Sequence, residues 1–152
     1  MKQFEIKVSN SEVNYEEAVM YMESRVDGII NNKSEELIWF LNHNHIFTQG
    51  TSASKKEILN SDIIDIIKSK SNNISFDKEK KIGAIGLRIK KWITYHGLSF
   101  NINPDLNYYN YIHSCGLKEY KNTSMEELGI KLEQSEFDNK FKKIFLEKLK
   151  TI

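Results

Sequence analysis

The stretch KKIGAIGLRIKKWITYHGLSFNINP, residues 80 to 104, constrains the fold more than any other part of the chain. KKIGAIGLRI and WITYHGLSFNIN are each apolar and β-branched enough for a strand, and a basic turn at Lys90-Lys91 separates them. An antiparallel hairpin is the economical reading, with Leu98, Phe100 and Ile102 on one face. Pro104, the single proline, ends the second strand because it has no amide proton for a ladder.

The rest of the chain supplies helices and further strands. Residues 2 to 8 alternate, with Phe4, Ile6 and Val8 on one face, which predicts a half-buried strand. Tyr15, Val19, Met22, Val26 and Ile29 recur at helical spacing behind Asn14, which with Glu17 makes a capping box. Leu37-Ile38-Trp39-Phe40-Leu41 reads as an interior strand, broken by the polar HNH that follows and by Thr48-Gln49-Gly50. Ser54 and Glu57 cap a short helix, SKKEILN. In SDIIDIIKSKSNN, residues 61 to 73, the isoleucines fit a helix face better than alternation, and the Lys, Ser and Asn residues after them read as a loop. ISF from Ile74 is a strand. A short helix spans Asn107 to Ile112. Thr123 to Leu128 makes a capped turn closed by Gly129, and Ser135 opens a last helix with the stripe Phe137, Phe141, Ile144, Phe145 and Leu149. The class is therefore α+β or mixed α/β, and 152 residues suit one domain.

Charge excludes little. With 22 basic and 21 acidic residues the net charge is +1, which gives no global pull toward nucleic acid or an anionic membrane. The longest apolar run is far below the about 20 residues a bilayer needs. One cysteine makes no internal disulfide, and the opening MKQFEIKVSN lacks a charged segment followed by an apolar run, so a cytoplasmic protein is expected.

The candidate chemistry is sparse. Cys115, in YIHSCGL, is either a small buried hydrophobe or a nucleophile, and a nucleophile needs a cation, a histidine or a helix N-terminus to reach its thiolate form. His113 is near in sequence, though poorly spaced to meet it. His43 and His45 lack further ligands at metal spacing, so no metal site is expected. Lys78, Lys80, Lys81, Arg88, Lys90 and Lys91, with Trp92 and Tyr95, could contact phosphates and bases, but such a cluster is more often the solvated edge of a hairpin. Lys81 differs because it leads directly into Ile82-Gly83-Ala84-Ile85-Gly86-Leu87. Glycines inside a strand mark close approach of a ligand or another backbone, and Tyr95-His96-Gly97-Leu98-Ser99 is a second such place. Together the two could form a floor for an extended acyl chain.

Residues 80 to 129 resemble the C-terminal half of lipoyl(octanoyl) transferases, the octanoyltransferases of lipoate biosynthesis. The match is ordered: lysine before I-G-A-I-G-L-R, then Thr-Tyr-His-Gly-Leu, Asn-Ile-Asn, Cys-Gly, Thr-Ser and Leu-Gly. IWFLNHNHIFTQGTSA, residues 38 to 53, resembles the family's strand and turn ending in Thr-x-Gly. The resemblance implies a biotin/lipoate protein ligase-like α/β fold with a mixed sheet flanked by helices. It implies that Cys115 takes the octanoyl group from octanoyl-acyl carrier protein as a thioester and passes it to a lysine of lipoyl domains, those of 2-oxoacid dehydrogenase acyltransferase subunits and glycine cleavage H protein. Lys81 would lower the thiol's pKa and relay protons, and Ala84, Ile85, Gly86, Gly97, Leu98 and Ser99 would line the substrate. No cofactor, metal, nucleic acid or membrane partner is implied.

The chain also departs from the pattern. Between Leu59 and Lys81 the family carries a long central portion with Arg-Gly-Gly and Thr-Tyr-His-Gly-Pro-Gly-Gln; here the interval is short and holds neither. Thr94-Tyr95-His96-Gly97 continues into Leu98 and belongs to the later strand. The expectation is a single domain over 1–152, internally shortened around 60–78. The competing expectations are a catalytically impaired relative serving as an interaction module, an ATP-using lipoate ligase, and a nucleic-acid module resting on the hairpin lysines.

Overall fold

In a computed structural model the described residues are 4–49, 66–68, 74–77, 80–112 and 120–149. The chain begins with a strand, β1 (Phe4–Val8), a helix, α1 (Tyr15–Ile30), and a second strand, β2 (Glu36–Phe40), that pairs parallel to β1. Parallel neighbours need a crossover, and α1 supplies it. Its start is fixed by Asn14, whose Oδ1 accepts from the amides of Glu16 at 2.9 Å and Glu17 at 3.1 Å. Val8 is exposed and Leu37 to Phe40 are half-buried, so β2 is less interior than its run of apolar residues predicts.

β3 (Phe47–Gln49) pairs parallel with β4 (Ile66–Lys68). This corrects the helical expectation for the isoleucine-rich segment where it is described. Isoleucines in adjacent pairs satisfy either period, and β-branching with a strand partner at hand favours the extended state. The remainder of 61–73 and the helix expected at 54–60 lie outside the described residues.

The largest sheet contains β5 (Ile74–Asp77), β6 (Lys80–Lys90), β7 (Ile93–Phe100) and β8 (Lys121–Asn122). β6 and β7 form the expected antiparallel hairpin, from Gly83 opposite Phe100 to Lys90 opposite Ile93. The turn is Lys91-Trp92, one residue later than expected, and both residues are left-handed, at φ 48° and 67°. That is the two-residue turn whose twist suits a hairpin, built without the glycine it usually carries. β5 lies antiparallel on one edge of β6, while β8 runs parallel to Lys80 and Lys81. Since β5 holds the first edge there, β8 extends the edge that β7 occupies further along. The sheet is thus mixed, and the α+β class stands.

Helix α2 (Gln134–Leu149) joins the sheets through its aromatic stripe. Phe137 stacks on Phe100 of β7 at 4.9 Å, Phe141 meets Phe40 of β2 at 6.1 Å, and Phe145 continues the row. α1 packs on β7, with Met22 Sδ 3.0 Å from the His96 amide. Among the described residues Ala18, Val26 and Phe47 are the buried apolar side chains, and Lys81, Thr123 and Ser124 are the buried polar ones. No helix among these residues is long and apolar enough to cross a membrane.

Candidate active site

β6 carries Lys81 near its first end and one of the two predicted triplets further along. Lys81 is only 8% exposed. Two steps along β5, from Ser75 to Asp77, match three along β6, from Gly83 back to Lys80, so β6 carries an extra residue within Lys81-Ile82. Such a bulge bends a strand and re-aims a side chain. Further along, Ala84, Ile85 and Gly86 stand opposite Ser99, Leu98 and Gly97. The two triplets that the resemblance implies would line the substrate are therefore cross-strand partners. By the alternation of a pleated sheet, Ala84, Gly86, Gly97 and Ser99 share one face, and Ile85 and Leu98 share the other.

The glycines in this floor have different reasons. A Cβ on Gly83 would sit 2.8 Å from the Ser99 carbonyl oxygen, so close backbone approach within the hairpin demands glycine there. A Cβ on Gly97 would meet nothing within 4 Å. That position is open, as a surface that receives a ligand must be.

A polar network braces Lys81. The Thr123 amide donates to the Lys81 carbonyl at 2.8 Å, and the Thr123 hydroxyl donates to Glu127 Oε2 at 2.6 Å. Lys80 Nζ reaches Glu127 Oε1 at 3.1 Å. The Thr123 hydrogen bond first, and Lys80 second, hold the Glu127 carboxyl below the usual carboxylate range. Thr123 and Ser124 begin the turn foreseen at 123–128: Ser124 Oγ accepts from the Glu127 amide, and Gly129 closes it at φ 81°. The 3-10 helix at Leu106–Tyr111, matching the short helix expected there, brings Tyr109 to the side chain of Asn101. Sequence reading missed this network. Its members are polar residues scattered from 80 to 127, and the Thr-Ser and Asn-Ile-Asn matches were its only signal. Cys115, with His113, lies outside the described residues.

Other candidates have structural employment. His43 Nδ1 donates to the Val13 carbonyl at 2.7 Å, and His45 packs on Tyr108 at 4.4 Å. Among the described residues no three His, Cys, Asp or Glu side chains group to hold a metal. Lys90 pairs with Asp27 at 2.5 Å, and Arg88 lies 5.7 Å from the Tyr95 ring. Those contacts fit the hairpin-edge reading of the basic cluster; Lys78 lies outside the described residues. His96 is left-handed at φ 64°, and burial, then Arg88, push its imidazole down from its ordinary value. A depression lined by Glu23, Val26, Asp27, Lys90 and Tyr95 is near the far end of β6, about 30 Å from Lys81 along an extended strand.

Residues 59–146 match the family model described as the lipoyl protein ligase A/B catalytic domain. An octanoyltransferase of Ehrlichia ruminantium (strain Gardel) is 32% identical over 200 residues, covering 93% of this chain and 96% of that protein. One of Neorickettsia sennetsu is 30% identical over 203 residues, covering 93% and 97%, and one of Wolbachia pipientis wMel is 32% identical over 196 residues, covering 91% and 96%. With more than half of its length inside the family model and this identity along nearly all of it, the chain belongs to the lipoyl protein ligase A/B catalytic-domain family and stands with its octanoyltransferases, which are acyltransferase enzymes.

Proposed function

We propose that the protein moves an octanoyl group from octanoyl-acyl carrier protein, by way of a thioester on Cys115, to a lysine of lipoyl domains. The acceptors are those of 2-oxoacid dehydrogenase acyltransferase subunits and glycine cleavage H protein, and the setting is the cytoplasm. The observation that carries this reading is the register that places Ala84, Ile85 and Gly86 beside Ser99, Leu98 and Gly97 on the strand that begins with buried Lys81.

The Cys115 thiolate attacks the carbonyl carbon of the carrier-bound thioester. A new carbon–sulfur bond forms, the bond to the carrier's sulfur breaks, and the carrier leaves as a thiol after taking a proton. The acceptor amine then attacks the enzyme thioester, an amide bond forms, Cys115 departs as thiolate, and the amine gives up its surplus proton. Lys81, as ammonium, stabilises the thiolate and relays both protons. A thioester already holds an activated acyl group, so this chemistry needs no metal, nucleotide or other cofactor. Ala84, Gly86, Gly97 and Ser99 offer the acyl chain a floor of small groups, and Ile85 and Leu98 complete the strands that carry it.

The alignments extend over about 200 residues against a chain of 152, which supports one domain shortened around 60–78. A second reading, an impaired relative acting as an interaction module, draws on one observation. Ile85, Leu87, Ile89 and Leu98 form an exposed apolar face on the hairpin.

Intact-mass measurement after incubation with octanoyl-acyl carrier protein separates the two. An octanoyl adduct is expected, absent in Cys115→Ser and slowed about 100-fold or more in Lys81→Ala. No adduct from the folded protein would overturn the transferase and leave the interaction module.

A further inference from the structure

We infer that Asn101 is a positioning residue for this acyl transfer, a role that rests on the function proposed above. Asn101 follows β7 at the point where the edge of β6 passes from an antiparallel neighbour, β7, to a parallel one, β8. A ladder cannot run unbroken through such a change of direction, and the side chain of Asn101 bridges it. Its backbone amide donates to the Ile82 carbonyl at 2.8 Å, and its carbonyl accepts from the Met125 amide at 3.0 Å. Its Nδ2 donates to the Thr123 carbonyl at 2.9 Å, and its Oδ1 accepts from the Tyr109 hydroxyl at 3.1 Å.

Two consequences follow for the reacting groups. Thr123 also donates its amide to the Lys81 carbonyl, so the bonds Lys81 to Thr123, Thr123 to Asn101 and Asn101 to Ile82 close a ring around the bulged Lys81-Ile82 peptide. The backbone that aims Lys81 is thereby fixed on both sides. Tyr109 and Thr123 also belong to the two described stretches that enter and leave residues 113–119, and one amide group holds both. The amide places a donor and an acceptor on one rigid plane: the aspartate carboxylate lacks the donor, and leucine, of the same shape, lacks both. Among the described residues, the charged groups at this end of the sheet include Lys80, Lys81, Lys121 and Glu127, with Asp77 of β5 opposite Lys80 in the register, so a shift in the frame changes how positive charge is presented to a thiolate.

The test uses the whole chain and compares wild type, Lys81→Ala, Asn101→Leu and Tyr109→Phe by two readouts: the rate of octanoyl adduct formation, resolved into kcat and KM, and the pH dependence of Cys115 alkylation by iodoacetamide. Asn101→Leu is expected to lower kcat about 10- to 100-fold with little change in KM. It should also move the alkylation midpoint upward, in the direction of Lys81→Ala. A bond that mattered only for stability would lower the melting temperature and leave that midpoint in place. Folded Asn101→Leu with wild-type kcat and midpoint overturns the inference and leaves the proposed function standing. If Asn101→Leu does not fold, Tyr109→Phe decides, with about a 2- to 10-fold loss of kcat expected and an unchanged enzyme overturning the inference. A folded wild type that forms no adduct, with alkylation indifferent to Lys81→Ala, overturns the proposed function itself.

Discussion

The two ends of β6 are built on opposite terms. At the first, a lysine 8% exposed has its backbone carbonyl bonded to the Thr123 amide, and Thr123 is bonded in turn to Asn101 and Glu127. At the second, the strand runs into solvent with Ile89 68% and Trp92 96% exposed, and turns through two left-handed residues. Polar groups are inside and apolar ones outside, the reverse of the usual arrangement. Burying an amine or hydroxyl is tolerable where each polar atom finds a partner, and such a network admits few alternative geometries. At the tip, Lys90 pairs with Asp27 of α1 while Ile89 and Trp92 stay in solvent. The contrast teaches that specificity in this sheet resides in directional bonds at its first end, where the proposed chemistry lies.

The sharpest way to break that contrast is a methyl group. Gly83→Ala, between the two ends, forces a Cβ against the Ser99 carbonyl oxygen and should cost about 1–3 kcal/mol in urea unfolding. Gly97→Ala, in open space, should cost less than about 0.5 kcal/mol. Because its stability is preserved, slower octanoyl adduct formation in Gly97→Ala would report contact with the acyl chain, and an unchanged rate would remove Gly97 from the floor.

Next in size is the tip. Replacing Lys91-Trp92 by Asn-Gly supplies residues that accept the left-handed conformation and should stabilise the protein by about 1–2 kcal/mol. A lower unfolding midpoint would mean that Trp92 has a packing role its exposure conceals. Thr123→Val keeps the shape of a fully buried side chain and removes its bond to Glu127, for an expected loss of about 1 kcal/mol by the same measurement. Parity with wild type would reduce the network to decoration.

The smallest effect is in acid. Glu127 is held below its ordinary pKa, so the unfolded chain takes up the proton first as pH falls. Its contribution is fully present above the unfolded carboxylate pKa and disappears as pH falls through the folded one. Glu127→Gln should therefore flatten the acid limb of the stability profile and leave the limb above neutrality unchanged.

Much of this was legible in sequence because the signals were local. The hairpin follows from two apolar runs with a break between them, Asn14 announces α1, and Gly129 marks a turn where a left-handed residue is needed. Placement of the hairpin turn slipped by one residue because Lys90 and Lys91 look alike and only the Lys90–Ile93 pairing distinguishes them. The isoleucines at 66 and 67 misled because a helical face and a short parallel strand have the same residues in so brief a window. The network around Asn101 was illegible for a different reason. Asparagine, tyrosine and threonine carry no periodicity, and their meeting depends on contacts as distant as Asn101 with Thr123. The pairing of the two predicted triplets was implicit in the hairpin, needing only its register.

The parallel seating of β8 on Lys80 and Lys81 bears on the order in which the chain acquires structure. A hairpin joined by two residues closes in about 1–10 μs, whereas β8 must return across the whole span from Lys81 to Asn122, with a loop-closure penalty that only later contacts offset. The β6–β7 ladder is therefore expected to precede the β6–β8 seam. In pulsed hydrogen exchange during refolding, amides of the Leu87 region should gain protection before that of Thr123, and simultaneous protection would contradict this order. A nascent chain would then hold its exposed apolar hairpin before the lysine at its base has acquired its surroundings, so competence for chemistry would be among the last properties to mature.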